Sequence, residues 1–303
     1  MVLINLLAAA AVAAVLAPFA LRALQGAGST RANWRGLELP APAGAVAAVA
    51  AVLAAGVLAL VDQIGGSDLV YAASEVPLTE EGWTSYVPLS EDELSDVFGP
   101  PPGPEFFSVG YTLRTSAVPA LVVGLGAALL GLLADVLRAA PRSGWSLAAA
   151  AATCAPALVV LVAPDLPGGE VILAAAVVAL AAVAFVALDE RPGRAWKAFI
   201  LLGAGLLIAS WDLEPLRGIG LFAGPLLVLG VYDLRERALL GTAGSAVLGA
   251  MAGLWIVAVT GTTGQVVAAL VLAALRLFPL SAAIEKLPPL RALDWLGRRD
   301  THG

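Results

Sequence analysis

The chain has 303 residues, of which 60% are hydrophobic and only 13% charged, and its mean hydropathy is +0.90. A soluble globular protein carries about 25% charged residues, so the composition excludes that class and predicts a single membrane domain over 1–303. The formal net charge of −6 says little by itself, because a membrane protein sorts its charge by side, and no nucleic-acid partner is expected; the lone Cys154, inside an apolar run, excludes an internal disulfide and disfavours a thiolate metal site.

Taken in order, the apolar runs predict an all-α, polytopic transmembrane bundle of about 9–10 helices, with about 20 apolar residues enough to cross. The first run, 2–21, has no basic residue before it, which points to a retained span and not a cleaved signal peptide. Further runs cover 41–61, 115–134, 144–163 and 171–188. Those at 198–211 and 218–232 are short and span only if Lys197 and Arg217 snorkel. The long run after Arg237 is split into two by Thr260-Gly-Thr-Thr-Gly-Gln265.

Lys and Arg set the orientation. Arg22, Arg31, Arg35, Arg138, Arg142, Arg191, Arg194, Lys197, Arg235, Arg237, Lys286, Arg291, Arg298 and Arg299 all follow odd-numbered spans, against Arg114 and Arg217 on the other side. The N-terminus is therefore expected outside and the C-terminus, with a tail at 280–303, in the cytoplasm of a multi-pass cell-membrane protein. Trp34, Trp145, Trp196, Trp211 and Trp295 fall near span ends, as interfacial anchors do. The segment 62–114 becomes an acidic extracytoplasmic loop between the second and third spans, with Glu80, Glu81, Glu91, Asp92, Glu93 and Asp96. Its proline-rich stretch at 99–104 cannot be helical, and Ser90 can cap one short helix ending near Phe98. A solvated loop and a partner surface both fit it.

Four cytoplasmic loops carry chemistry. The first holds Asn33, Gly36 and Pro40, with Gly44 opening the next span. The second closes the third span with Asp135. The third, Leu-Asp-Glu-Arg-Pro-Gly-Arg-Ala-Trp-Lys at 188–197, packs two acids and three bases around a turn. Pro192 disfavours helix at Arg191, and Gly193 permits positive φ, so a helix must stop there. The fourth, at 239–249, opens a span with Gly241, Gly244 and Ser245. Asp135 and Asp189 can ligate a metal, or simply end a span beside Arg138 and pair with Arg191 or Arg194. Arg191, Arg194 and Lys197 can hold a phosphate, or only set topology. Gly241, Ser245 and Gly249 can present free N–H groups to an anion, or let helices approach closely.

In this order and on one face, the motifs resemble those of the polyprenyl-phosphate glycosyl-1-phosphate transferases, which make lipid-linked intermediates of cell-wall and surface-polysaccharide synthesis. The first loop is similar to the family's Asn-x-x-Gly-x-x-x-Pro. The third resembles Leu-Asp-x-Arg-Pro-Gly-Arg-Ala-x-Lys of actinobacterial branches, and the tail 284–298 is similar to the same branches. The resemblance implies Asp135 and Asp189 as catalytic and Mg²⁺-binding residues. It implies Asn33, Arg191, Arg194, Lys197, Gly241, Gly244 and Ser245 as substrate-binding residues. It also implies transfer of a sugar-1-phosphate from a UDP-sugar to polyprenyl phosphate.

The departures fall on the metal ligands. Ala134 stands where the family has a second Asp, Val186 where it has Asn, Thr242 where it has Asp, and the only histidine, His302, lies in the tail. Joining two anions requires a divalent cation held by carboxylates and substrate oxygens. The resemblance thus implies a diverged homologue, weakly active or non-catalytic, that keeps lipid-phosphate binding and needs no cofactor. An active Mg²⁺-dependent enzyme using Asp135 and Asp189, and a lipid-carrier transport component, are the alternatives. The expected partners are membrane lipids, polyprenyl phosphate and envelope-synthesis membrane proteins, with a homodimer left open.

Overall fold

The computed structural model describes residues 2–33, 35–65, 118–136, 168–189 and 192–277. Within them the chain is a polytopic helical bundle: α1 (Val2–Gly26), α2 (Gly44–Gly65), α3 (Val118–Val136), α4 (Gly168–Leu188), α5 (Arg194–Ser210), α6 (Leu216–Leu234), α7 (Gly241–Val259) and α8 (Thr262–Leu277). Five of these helices are long and apolar enough to cross a membrane, namely Leu3–Gly26, Gly44–Val61, Gly169–Leu188, Leu216–Leu234 and Gly241–Val259. The chain is thus a multi-pass membrane protein. Pro119–Asp135 and Thr262–Leu275 are shorter apolar helices. The helices fall where the apolar runs predict them. The expected span at 144–163, most of the acidic loop 62–114 and the tail 280–303 lie outside the described residues.

α7 is the central post. Every residue from 243 to 258 is buried, and the helix packs against α2, α3, α4, α5 and α6. In lipid, apolar burial gives little drive for helix association, so close backbone approach and dispersion must supply it. The sequence provides for this with small residues. Side-chain carbons added at Gly249 and Gly253 would strike the α4 backbone at Ala181–Ala182 and Val178. One added at Gly224 of α6 would strike α1 at Leu6 and Ala10. Gly203 of α5 leaves room for the Trp255 indole, whose ring lies 6.4 Å from that of Phe199. Of the two meanings open for the glycine spacing at 241–249, packing accounts for Gly249.

Two features differ from the sequence expectation. A small hairpin, β1 (Thr30–Ala32) and β2 (Glu38–Pro40), pairs antiparallel with Arg31 opposite Leu39. Strands of three residues carry no readable alternation. Lys197 does not snorkel outward from the short α5: it is 8% exposed, and its charge faces Asp233 inside the bundle.

The two ends of the bundle differ in kind. At one end, the Asn5 side-chain amide donates to the Arg217 carbonyl, joining the starts of α1 and α6. At the other end meet the hairpin, the ends of α3, α4 and α6, and the starts of α2, α5 and α7.

Candidate functional site

The first loop is built around Asn33. Its Oδ1 accepts from the backbone N–H groups of Arg35 (2.8 Å) and Leu37 (2.9 Å), closing the hairpin turn, and Gly36 takes φ 77 there. Asn33 is 9% exposed, and its Nδ2 has no hydrogen-bond partner among the described residues. Beyond the hairpin, the chain runs beside the start of the fourth loop. Leu239 N–H donates to Pro40 O (3.0 Å), and the Ala43 and Gly44 N–H groups donate to Leu239 O and Leu240 O (2.9 Å each). Gly44 then meets Gly244 backbone to backbone. Loops one and four, some 200 residues apart in sequence, thus form one layer.

Asp135 joins the second loop to that layer. Its Oδ1 and Oδ2 accept from Thr242 N–H and Ala243 N–H, both at 3.2 Å. A carboxylate from α3 therefore satisfies two of the free donors at the start of α7 and complements its dipole. The Arg31 guanidinium lies 3.8 Å from Asp135 Oδ1; its side chain is 56% exposed, that of Asp135 11%. Arg35 Nε, 3.5 Å from Glu236 Oε1, ties the hairpin to the end of α6.

The third loop is anchored by a residue that sequence reasoning did not select. Asp233, 1% exposed near the end of α6, accepts from Gly193 N–H at 2.6 Å and from Leu240 N–H at 3.3 Å. Gly193 has φ 75, as the helix stop requires. Glu236 is left-handed at φ 50, held by Glu236 N–H to Asp233 O and Arg237 N–H to Tyr232 O. That turn brings Leu240 back onto Asp233. The available signal was an acid directly after the apolar run 218–232. It was submerged among Arg235 and Arg237, which read as topology.

Of the predicted basic residues, Arg194 is 1% exposed and Lys197 8%. Both have interaction partners inside the chain. They belong to the internal framework of the site, with the Lys197 charge facing Asp233. Arg191 lies outside the described residues. Gly241 has φ 70, and the space a side chain would take there is held by Asp135 and Pro42. Gly244 packs on Gly44, and Ser245 is fully buried.

Asp189 follows α4 directly and stands beside Ser245. The Ser245 hydroxyl has one proton and lies 2.8 Å from the Gly241 carbonyl, so it donates to that carbonyl or to Asp189 but not to both. Burial, and then the nearby Asp233 charge, raise the Asp189 carboxyl well above the usual carboxylate range; Ser245 and Arg31 pull it down, and Asp135 pushes it further up. The folded state thus binds this proton more tightly than the unfolded chain does. The Asp189 contribution to stability falls as pH rises from the ordinary carboxylate range through the raised value. Asp189→Asn is therefore expected to raise the thermal midpoint at neutral pH, with the gain shrinking as pH falls. A gain that grows on acidification overturns the sign.

Asp135, Asp189, Asp233, Ser245 and Arg31 thus share one end of the bundle. As a cage for a resident divalent ion the set is poor. Both Asp135 oxygens already accept helix N–H groups, and both Asp233 oxygens accept loop N–H groups. Among the described residues no three His, Cys, Asp or Glu side chains cluster as metal ligands. These residues do not fit Mg²⁺ held by protein alone. Comparison with family models, curated proteins and solved structures finds no match.

Proposed function

We propose that the chain is a diverged member of the polyprenyl-phosphate glycosyl-1-phosphate transferases, retaining a lipid-phosphate site on its cytoplasmic face with weak or no transfer activity. What supports this reading is the convergence of all four resembling loops, from Asn33 to Ser245, at one end of the bundle. A loop kept only for topology needs positive charge at the right side of the membrane. It does not need a bond from the Gly193 N–H to Asp233 or Asp189 set beside Ser245.

Arg31 is the exposed cation beside the Asp135-capped start of α7, while Arg194 and Lys197 support the loop from within. An incoming phosphate competes with the Asp135 carboxylate for Arg31 and for the Thr242 and Ala243 N–H groups. The two site substitutions therefore have opposite signs. Arg31→Gln weakens polyprenyl-phosphate binding without changing retention of the matched alcohol, because the apolar tail supplies most of the affinity and the charge pair adds selectivity. Asp135→Asn removes the competing charge and strengthens it. Native mass spectrometry in detergent with both lipids is the test. Equal retention of phosphate and alcohol by the unmodified protein sinks the proposal. Abolished phosphate binding in Asp135→Asn, with Mg²⁺-dependent binding in the unmodified protein, replaces it with an active metal-dependent transferase.

A further inference from the structure

We infer that Asp233 is the positioning residue of this face, a buried clasp that fixes the third loop to the start of α7. The inference rests on the proposed lipid-phosphate reading. It assigns a role to a residue that carries none of the resembling motifs.

The geometry is specific. Gly193 N–H and Leu240 N–H come from two loops 47 residues apart in sequence, and they bind opposite oxygens of one carboxylate, at 2.6 and 3.3 Å. A carboxylate is acceptor-only and can serve both. The isosteric Asn can serve one, and it turns an NH₂ group toward the other. Asp233 is 1% exposed, so water cannot replace the missing acceptor. The groups facing it are Lys197 of α5, Glu236 beyond α6 and Asp189 of the third loop.

The consequence is mechanical. Gly193 immediately precedes α5, and Leu240 immediately precedes Gly241, Thr242 and Ala243. Through Asp233, the start of α5 and the N–H groups that meet Asp135 keep one relative position. Without it, the Leu240 side stays tied to Pro40, Gly44 and Asp135, but the Gly193 N–H loses its bond to that layer. Asp233 acts through the backbone of the loops and need not touch the ligand.

Hydrogen–deuterium exchange on the full chain in detergent, followed by binding, tests this. In Asp233→Asn, peptides covering 189–195 and 238–243 are expected to exchange about 10–100-fold faster, the value of a lost hydrogen bond to a charged group. Peptides at the α1–α6 contact, residues 5–10 and 219–226, should keep wild-type rates. The preference for polyprenyl phosphate over its alcohol should fall at least about tenfold. Asp233→Asn also leaves the Lys197 charge without this neighbour, and the single variant can fail to fold for that reason. The pair Lys197→Met with Asp233→Asn removes both charges and is expected to show the same local loss of protection. Unchanged exchange in both segments overturns the clasp, as does faster exchange across the whole bundle. Local loss with intact phosphate preference overturns the positioning role alone. An unmodified protein that lacks any phosphate preference overturns the proposed function, while the exchange data still decide whether the clasp exists.

Discussion

Gly44→Val is expected to abolish recovery of folded protein. Gly44 opens α2, and a side-chain carbon there would overlap the backbone nitrogen and Cα of Gly244 and crowd Ala243. Nothing at that contact can rotate away, because both partners are main chain. The neighbouring Ala43 and Gly44 N–H groups are also committed to Leu239 and Leu240 carbonyls, so α2 cannot retreat without breaking the layer that joins loops one and four. Overpacking in a core that can adjust costs about 1–3 kcal/mol; here the expected cost is at least ~3 kcal/mol, a large share of a typical stability. Gly56→Val is the control within the same helix, since nothing lies within 4 Å of a side chain there. Size-exclusion profiles of fluorescent fusions in detergent separate the two. A monodisperse Gly44→Val protein with the control's thermal midpoint sinks the argument.

The bundle was readable because lipid imposes length and composition on each span. The helix stop at Pro192-Gly193 and the break at Thr260–Gln265 were readable because proline, glycine and polar residues interrupt helices by local chemistry. The candidate site was readable only as a set of loops assigned to one side. Its internal wiring depends on helix rotation, which a nearly uniform Ala, Val and Leu run does not encode. That is why Lys197 and Arg194, read as phosphate ligands or topology signals, turn out to be buried, with Lys197 facing Asp233. It is also why Asp135, selected as a metal ligand, is found capping a helix 107 residues away. Asn33 illustrates the same limit. Selected as a substrate contact, it spends its oxygen on its own turn, while its amide nitrogen has no partner among the described residues.

On the proposed function, the unmodified protein is expected to turn over at least about a thousandfold more slowly than an active member of the family that its loops resemble. Each missing metal or charge-stabilising contact typically costs about 10²–10³ in rate, and Ala134, Val186 and Thr242 stand where the family resemblance expects ligands. The structure places these three positions where they can be restored. All are partly exposed. Ala134 adjoins Asp135, the Thr242 N–H already bonds Asp135 Oδ1, and the Val186 carbonyl accepts from Asp189 N–H at 3.2 Å. Ala134→Asp, Val186→Asn and Thr242→Asp together would add two carboxylates beside Asp135 and Asp189. Like charges so close repel, so the triple variant should be less stable than the unmodified chain without a divalent ion. It should regain thermal midpoint as Mg²⁺ is added, because an ion bound only by the folded state stabilises it. Transfer from a panel of UDP-sugars to polyprenyl phosphate should then rise at least about a hundredfold. Product is read by mass spectrometry of the lipid, and the Mg²⁺ dependence of the midpoint is read separately. A triple variant that gains Mg²⁺-dependent stability but makes no product would show that restoring the ligands does not restore donor binding. Robust Mg²⁺-dependent product from the unmodified chain would show instead that Asp135 and Asp189 suffice, and the chain would then be an enzyme with a reduced metal site.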